Sequence, residues 1–280
     1  MSVVINTNYA SVLARKNLAE VQRQMDKSVE RLSSGKRINN AEDDAAGSAI
    51  SGRMESQIRG LTMGIRHAKD GQSLVGTSEG AMQELNKILQ RMRELAVQSA
   101  SGVASSADRN YLDLEMTQLF NEINSISNNT KFNDQRILTG ATFTFYTDSD
   151  VAGTAITTVA ASASAQNLLV SVTSVDISSV TSNTSTTGVQ AVITQIDSAL
   201  SVVDARRAAL GAVSNRFDHI IDNLQNVVMN TVQSQSRIVD ADFSVETTNL
   251  TRNTVLQQAA TSMLAQANAQ KNSILALIQQ

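Results

Sequence analysis

Proline is missing from all 280 residues. At ordinary usage of about 5%, a chain of this length carries about 14. Proline breaks both helices and sheet ladders, so a chain without it is expected to consist of long uninterrupted elements. Cysteine is also absent. That excludes disulfides, thiolate metal sites and cysteine nucleophiles. Tryptophan is absent and aromatics make up 3% of the chain, too few for a base-stacking platform. The 23 Lys and Arg against 26 Asp and Glu give a formal charge of −3, without the basic excess of a nucleic-acid binder. No run approaches the roughly 18 apolar residues of a membrane span. The opening MSVVINTNYASVLARKN has no basic segment ahead of its apolar residues, so a secretory leader is not expected. Export by some other signal stays open.

Basic residues are missing from one stretch in particular. Between Arg136 and Arg206 there is no Lys or Arg, only Asp148, Asp150, Asp176, Asp197 and Asp204. Composition shifts over the same region: residues 141–190 hold about 20 Ser and Thr and almost no Leu. TFTFYT, TAITTVA and LLVSVTSVDISSV alternate or are β-branched, as strands require. Two readings follow, a small β-rich insert or a Ser/Thr-rich linker. Leu168, Leu169, Val170, Val172 and Val175 give an insert something to bury. The composition predicts a solvent-facing segment that assembly does not need.

The remainder has helical spacing. Leu18, Val21, Met25, Ser28 and Leu32 follow steps of three and four, as do Met54, Ile58, Leu61, Ile65, Ala68, Gln72 and Val75. After Gly76 and Gly80 the stripe resumes out of register at Ala81, Leu85, Ile88, Met92 and Leu95, which predicts a discontinuity in the heptad. A helix from near Asp44 to Ser99 would be roughly 80 Å long. Ser106 or Asp108 is the expected cap of the next helix, which carries Leu112, Met116, Leu119, Ile123 and Ile126. FNDQRILTG reads as a hairpin or turn. Past the insert, Ile193, Ile196, Leu200, Val203, Leu210, Val213, Phe217, Ile220, Leu224 and Val227 restore the pattern, and Leu256, Ala260, Met263, Ala267, Ile274 and Ile278 end it. The expected fold is mainly α: an elongated antiparallel coiled-coil or helical-bundle rod with both termini together and a β-rich insert at the far end.

The last segment is unusual in its polar face. From Thr247 to Gln280 only Arg252 and Lys271 are charged, and Asn249, Asn253, Gln257, Gln258, Gln266, Asn268, Gln270 and Asn272 fill the outward positions. A solvated helix ordinarily carries charge pairs there. Uncharged amides pack against other polar faces without stranding a charge, so this face is expected to be buried between subunits.

No catalytic constellation is found. HExxH, P-loop and GxSxG patterns are missing, and His67 and His219 are the only histidines. No enzymatic activity, cofactor or metal is expected. Asp43 and Asp44, adjacent at a helix start, are read as caps and dipole complements in preference to metal ligands.

Five segments carry a family resemblance. LSSGKRINNAEDDAAG (Leu32–Gly47), LQRMRELAVQSA (Leu89–Ala100), LGAVSNRF (Leu210–Phe217), RIVDADFSVETTNL (Arg237–Leu250) and SMLAQANAQ (Ser262–Gln270) closely resemble bacterial flagellins. The resemblance covers about residues 4–140 and 189–280. Asn40 and Glu42 stand where the family often has Ser and Lys, and Lys271 lies near where many members have Pro. A hook–filament junction protein shares the terminal helices without all of these signatures. A flagellin with a peptidase insert needs an HExxH helix. A chemoreceptor-like coiled coil needs membrane spans or a helical hairpin tip.

The resemblance implies a subunit exported unfolded through the flagellar type III apparatus and polymerised outside the cell into an open helical tube for swimming. It implies five parts: a filament-core helix and linker (1–43), half of a rod with a β-turn region (44–140), the variable outer insert (141–190), a rod helix (191–236) and a second filament-core helix (237–280). Ile5, Tyr9, Leu13, Leu18 and Val21 are expected to face Leu256, Met263, Ala267, Ile274 and Ile278 in the filament core. Implied partners are copies of itself, an export chaperone, cap and hook–filament junction proteins, and a host's flagellin-sensing Toll-like receptor. Arg91, Leu95 and Glu115 match the receptor-recognition positions. Neither nucleic acid nor membrane is an expected partner. Ser and Thr of the insert are candidates for O-glycosylation.

Overall fold

Leu61, Gly64, Ala68, Gly71, Val75, Ser78, Met82, Leu85, Leu89, Met92, Ala96 and Ser99 recur at alternating steps of three and four, and all are buried. That is the average of 3.5 on which a heptad seam rests. They lie on one uninterrupted helix of 55 residues, α2 (Ala45–Ser99). The computed structural model describes residues 8–138, 140, 142–147, 155–159 and 186–278. Before α2 comes α1 (Tyr9–Ser34). After it come α3 (Ser106–Asn129), β1 (Lys131–Phe132), β2 (Gln135–Arg136), β3 (Thr142–Tyr146), β4 (Ala155–Val159), α4 (Thr186–Val239) and α5 (Phe243–Ile278). The chain divides into two compact units, residues 57–228 and the two ends, 1–56 with 229–280.

In the unit formed by residues 57–228, the expected heptad discontinuity near Gly76 does not occur. The seam stays in register through small residues that an apolar count passes over. Their space is filled from the other side. A Cβ added at Gly71 would lie 2.5 Å from Cζ of Phe217, and one at Gly64 would lie 2.6 Å from the Thr147 carbonyl oxygen. Gly76 and Gly80 face open space. Gly64→Ala is therefore expected to destabilise the subunit by about 1–3 kcal/mol through backbone displacement. Gly76→Ala should stabilise it by about 0.5–1 kcal/mol, the usual gain in a helix interior. Urea unfolding of the two variants measures both; equal effects would contradict the placement of the seam.

α4 runs antiparallel to α2. Gln72 donates to Asp218 (2.6 Å), Asn86 to Asp204 (2.9 Å) and Arg93 to Asp197 (2.6 Å), so numbers rise on one helix as they fall on the other. Such exposed pairs are screened by solvent and fix the register more than they stabilise the unit. The buried set of Met82, Leu85, Leu89, Met92, Met116, Ile123, Ile196, Val203 and Phe217 holds the unit together. α3 starts at a capping box on Ser105, whose hydroxyl accepts from the Asp108 amide while the Asp108 carboxylate accepts from the Ser105 amide. The cap thus lies one residue ahead of Ser106, and Asp108 is its reciprocal partner.

The FNDQRILTG hairpin is β1 against β2. Asn133 and Asp134 alone form its loop, at φ 49° and 60°, the positive pair that a tight hairpin turn of type I′ requires. β3 pairs antiparallel with β4. Phe143 and Phe145 pack against the core, and Phe145 meets Phe217 edge-on with centroids 5.9 Å apart. Strands therefore occupy two of the expected segments of the insert. Leu168, Leu169, Val170, Val172 and Val175 lie outside the described residues. α4 begins at Thr186, five residues before the expected rod boundary at 191.

In the other unit, α1 packs along α5. Gly35 closes α1 in the left-handed conformation (φ 70°), its amide returning to the Arg31 carbonyl at 2.9 Å. The following linker pairs with the join between α4 and α5: Arg37 N–H donates to the Val239 carbonyl and Ala241 N–H to the Gly35 carbonyl (2.6 and 2.9 Å). Asp44 caps α2 by accepting from the Gly47 amide at 2.8 Å, the role its place in the sequence suggested. Ile38 folds over this start, and a Cβ on Gly47 would sit 2.7 Å from its Cδ1.

Candidate assembly interface

α1 and α5 form an antiparallel pair. Asn8 Nδ2 donates to the Ala267 carbonyl (3.1 Å), Gln257 Nε2 to Gln22 Oε1 (2.8 Å) and Arg31 Nη1 to Glu246 Oε1 (3.1 Å). The α1 side of the seam is Ser11, Ala14, Leu18, Val21, Met25, Ser28 and Leu32; the α5 side is Glu246, Leu250, Asn253, Gln257, Ala260, Leu264 and Ala267. Both follow the heptad without a break. Among the described residues of this seam, only Ser28, Glu246 and Asn253 are buried; the others are half-buried. Small and amide side chains bring the helices together but exclude little apolar surface.

The expected filament-core residues divide accordingly. Leu18, Val21 and Ala267 lie on the seam. Tyr9, Leu13, Leu256 and Met263 do not: they point out of the pair and stay exposed. The expected pairing of Leu256 and Met263 with the α1 stripe is thus replaced, within the subunit, by Gln257, Ala260 and Leu264. α5 continues through Ile274 and Ile278, and Ile5 lies outside the described residues. Val12, Val29, Phe243, Val245 and Val255 are exposed as well. These large apolar side chains are thus exposed on two adjacent helices of the subunit.

The end of the pair is fastened by charge. Asp43, its side chain 7% exposed, accepts from Lys27 at 2.9 Å and from the amides of Asn39 and Asn40. Arg31 stands 3.9 Å from Asp43 and 3.1 Å from Glu246. The Lys27 hydrogen bond, then the Asn40 amide, hold the Asp43 carboxyl down at about 2. Sequence reading missed this clasp, although its members lie in the LSSGKRINNAEDDAAG and RIVDADFSVETTNL segments and just ahead of the first. A carboxyl with a lowered folded pKa stabilises fully above its unfolded value of 3.8, and loses that contribution as pH falls toward about 2. Asp43→Asn is therefore expected to destabilise the monomer at pH 7 and to differ much less from the parent at pH 2. Thermal melts at both pH values test this; an equal loss at both would contradict it.

Arg91, Leu95 and Glu115 fall in the unit formed by residues 57–228. Arg91 Nε donates to Glu115 Oε1 at 2.9 Å, and Nη1 reaches Glu94 at 3.1 Å. These bonds, led by Glu115, raise the guanidinium pKa further. Arg91 and Glu115 are exposed, whereas Leu95 is 0% exposed and belongs to the core.

Residues 5–142 match the family described as bacterial flagellin N-terminal helical region, and residues 193–278 the one described as bacterial flagellin C-terminal helical region. The chain belongs to the bacterial flagellin family. A flagellin of Halalkalibacterium halodurans is 40% identical over 282 aligned residues, covering 99% of this chain and 100% of the relative. A flagellin of Bacillus subtilis is 37% identical over 304, covering 98% and 99%. Among solved structures, Bacillus cereus flagellin aligns at 30% identity over 57% of this chain and 88% of that one, with a TM-score of 0.49. A structure from Vibrio parahaemolyticus described as a putative flagellar hook-associated protein covers 71% of this chain and 100% of its own at 13% identity; its TM-score of 0.61 shows a shared fold alone. The flagellin family is structural. The chain is a subunit of the extracellular flagellar filament and polymerises with copies of itself. No helix among the described residues is long and apolar enough to cross a membrane.

Proposed function

We propose that the α1/α5 pair is the part of this flagellin that builds the filament core. The observation that carries this is the exposed apolar set (Tyr9, Val12, Leu13, Val255, Leu256 and Met263) beside a seam too thin to stabilise two helices alone. Each helix gains most of its stability when a neighbouring subunit covers that face. Successive copies meet through different surfaces, so the association is heterologous and forms an open helix. Export in an unfolded state fits the lack of cysteine and proline, since neither disulfides nor slow prolyl isomers delay transit. Export chaperone, cap and hook–filament junction proteins are the partners this route needs. The segment 141–190 is the outer part, and its Ser and Thr are the candidates for O-glycosylation. Electron microscopy of concentrated protein tests the core of the reading: long helical filaments are expected, and closed oligomers or monomers would contradict it.

We also propose that the exposed Arg91–Glu115 pair is read by the host's flagellin-sensing Toll-like receptor. Arg91→Ala should then reduce receptor signalling by soluble monomer about tenfold or more, the scale of an interface hot spot. Unchanged signalling would remove Arg91 from the contact. Leu95→Ala should act through unfolding, because its side chain is buried.

A further inference from the structure

We propose that Met263 is an oxidant-sensitive modification site whose state controls assembly; this rests on the reading of α1 and α5 as the filament core. Peroxide acts on thiols, on thioethers and more slowly on indoles. The chain holds neither Cys nor Trp and has nine Met, so thioether sulfur is its main target for two-electron oxidation. Core packing separates the methionines by degree: Met25, on the α1 seam, and Met54 are half-buried. Met82, Met92 and Met116 are at most 1% exposed, while Met263 is 65% exposed. Met63 and Met229 are also exposed, at 42% and 64%. Neither belongs to α1 or α5. Met263 lies one heptad after Leu256 on the uncovered side of α5. The antiparallel register set by Asn8 with Ala267 and Gln257 with Gln22 brings it level with Val12 and Leu13, which are also exposed.

In the reaction, the thioether sulfur attacks one peroxide oxygen. The O–O bond breaks, the attacked oxygen stays on sulfur, and the other leaves as hydroxide, which takes the proton of the S–OH group to become water and leaves S=O. Sulfur loses two electrons and the peroxide gains them. The product is a polar sulfoxide with a strong acceptor oxygen. Packed into an apolar subunit contact without a donor, that oxygen opposes burial. Oxidation of the free subunit therefore disfavours addition to a filament, whereas a neighbouring subunit shields Met263 once assembled. A sulfoxide reductase reverses the effect.

The test treats monomer and preformed filament with hydrogen peroxide, maps sulfoxides by peptide mass and measures the critical concentration for seeded polymerisation. Met263 should oxidise readily in the monomer and slowly in the filament, with Met82, Met92 and Met116 spared in both. Oxidised monomer should show a critical concentration roughly tenfold higher, equivalent to about 1.4 kcal/mol. Methionine sulfoxide reductase should restore it. Met263→Leu, which keeps the apolar volume, should polymerise and resist peroxide; Met229→Leu should stay sensitive. The proposal is overturned if Met263 oxidises equally fast in both states, if oxidised monomer polymerises normally, or if Met263→Leu loses assembly to peroxide as the parent does. Should Met263→Leu not polymerise untreated, peptide mapping of partly oxidised parent decides: Met263 sulfoxide should be depleted in the filaments and enriched in the monomer left behind, and equal shares overturn the proposal. Failure of the untreated parent to polymerise would instead sink the assembly reading itself.

Discussion

Removal of Thr254–Gln280 is expected to leave a soluble, folded subunit that forms no filaments, even at roughly 100-fold the critical concentration of the intact chain, a difference of about 2.7 kcal/mol. The deletion takes Gln257, Ala260, Leu264 and Ala267 from the seam and Val255, Leu256 and Met263 from the exposed apolar set. α1 then loses the partner along most of its length, and an isolated helix with so narrow an apolar stripe is marginal in water. The buried core of residues 57–228 includes nothing from the deleted segment. Its cooperative unfolding should therefore survive, with far-ultraviolet circular dichroism losing only the helix of α1 and α5. Receptor signalling through the Arg91–Glu115 face should persist as well. Normal filaments from the truncated chain would refute the assignment of α5 to the core.

Phe217→Ala is expected to cost about 3–5 kcal/mol, the range for removing a buried aromatic ring. Whole-domain stabilities run about 5–15 kcal/mol, so this change takes a large share of the total. Phe217 is among the largest fully buried side chains. Its ring occupies the space left by Gly71 and meets Phe145 of β3 at 84°, so truncation opens a cavity where α2, α4 and the β3–β4 hairpin converge. The same geometry predicts coupling. Gly71→Ala clashes with the ring in the parent. In the Phe217→Ala background the added methyl should be tolerated, or even gain stability, because the ring is gone. Urea unfolding of the four members of that cycle gives the interaction energy. Additive effects would show that Gly71 and Phe217 do not share one space.

Residue spacing revealed the helices wherever large apolar side chains occupy the seam, as in Leu85, Met92, Met116, Ile123, Ile196 and Val203. It misled where small or polar residues do so. Gly64, Gly71 and Ser78 carry the α2 stripe through the place where a discontinuity was expected, because Phe217 and the Thr147 backbone fill the space beside the two glycines. On α5 the subunit's own seam runs beside the large apolar residues. Leu256 and Met263 are apolar and spaced by a heptad, yet the subunit packs Asn253, Gln257, Ala260 and Leu264 inward and leaves the larger side chains out. Hydrophobic periodicity finds an apolar face but does not say which chain covers it. The Lys27–Asp43–Arg31–Glu246 clasp was illegible for another reason: Arg31 and Glu246 are 215 positions apart, and no local pattern marks such a pair.

The role of α1 and α5 is tested most directly by amide hydrogen exchange on the monomer and on the filament, read segment by segment. On polymerisation, protection should rise strongly across Tyr9–Ser34 and Phe243–Ile278 and change little at the buried face of α2 between Leu61 and Ser99. Terminal helices already as protected in the monomer as in the filament would contradict the assignment of assembly to that face.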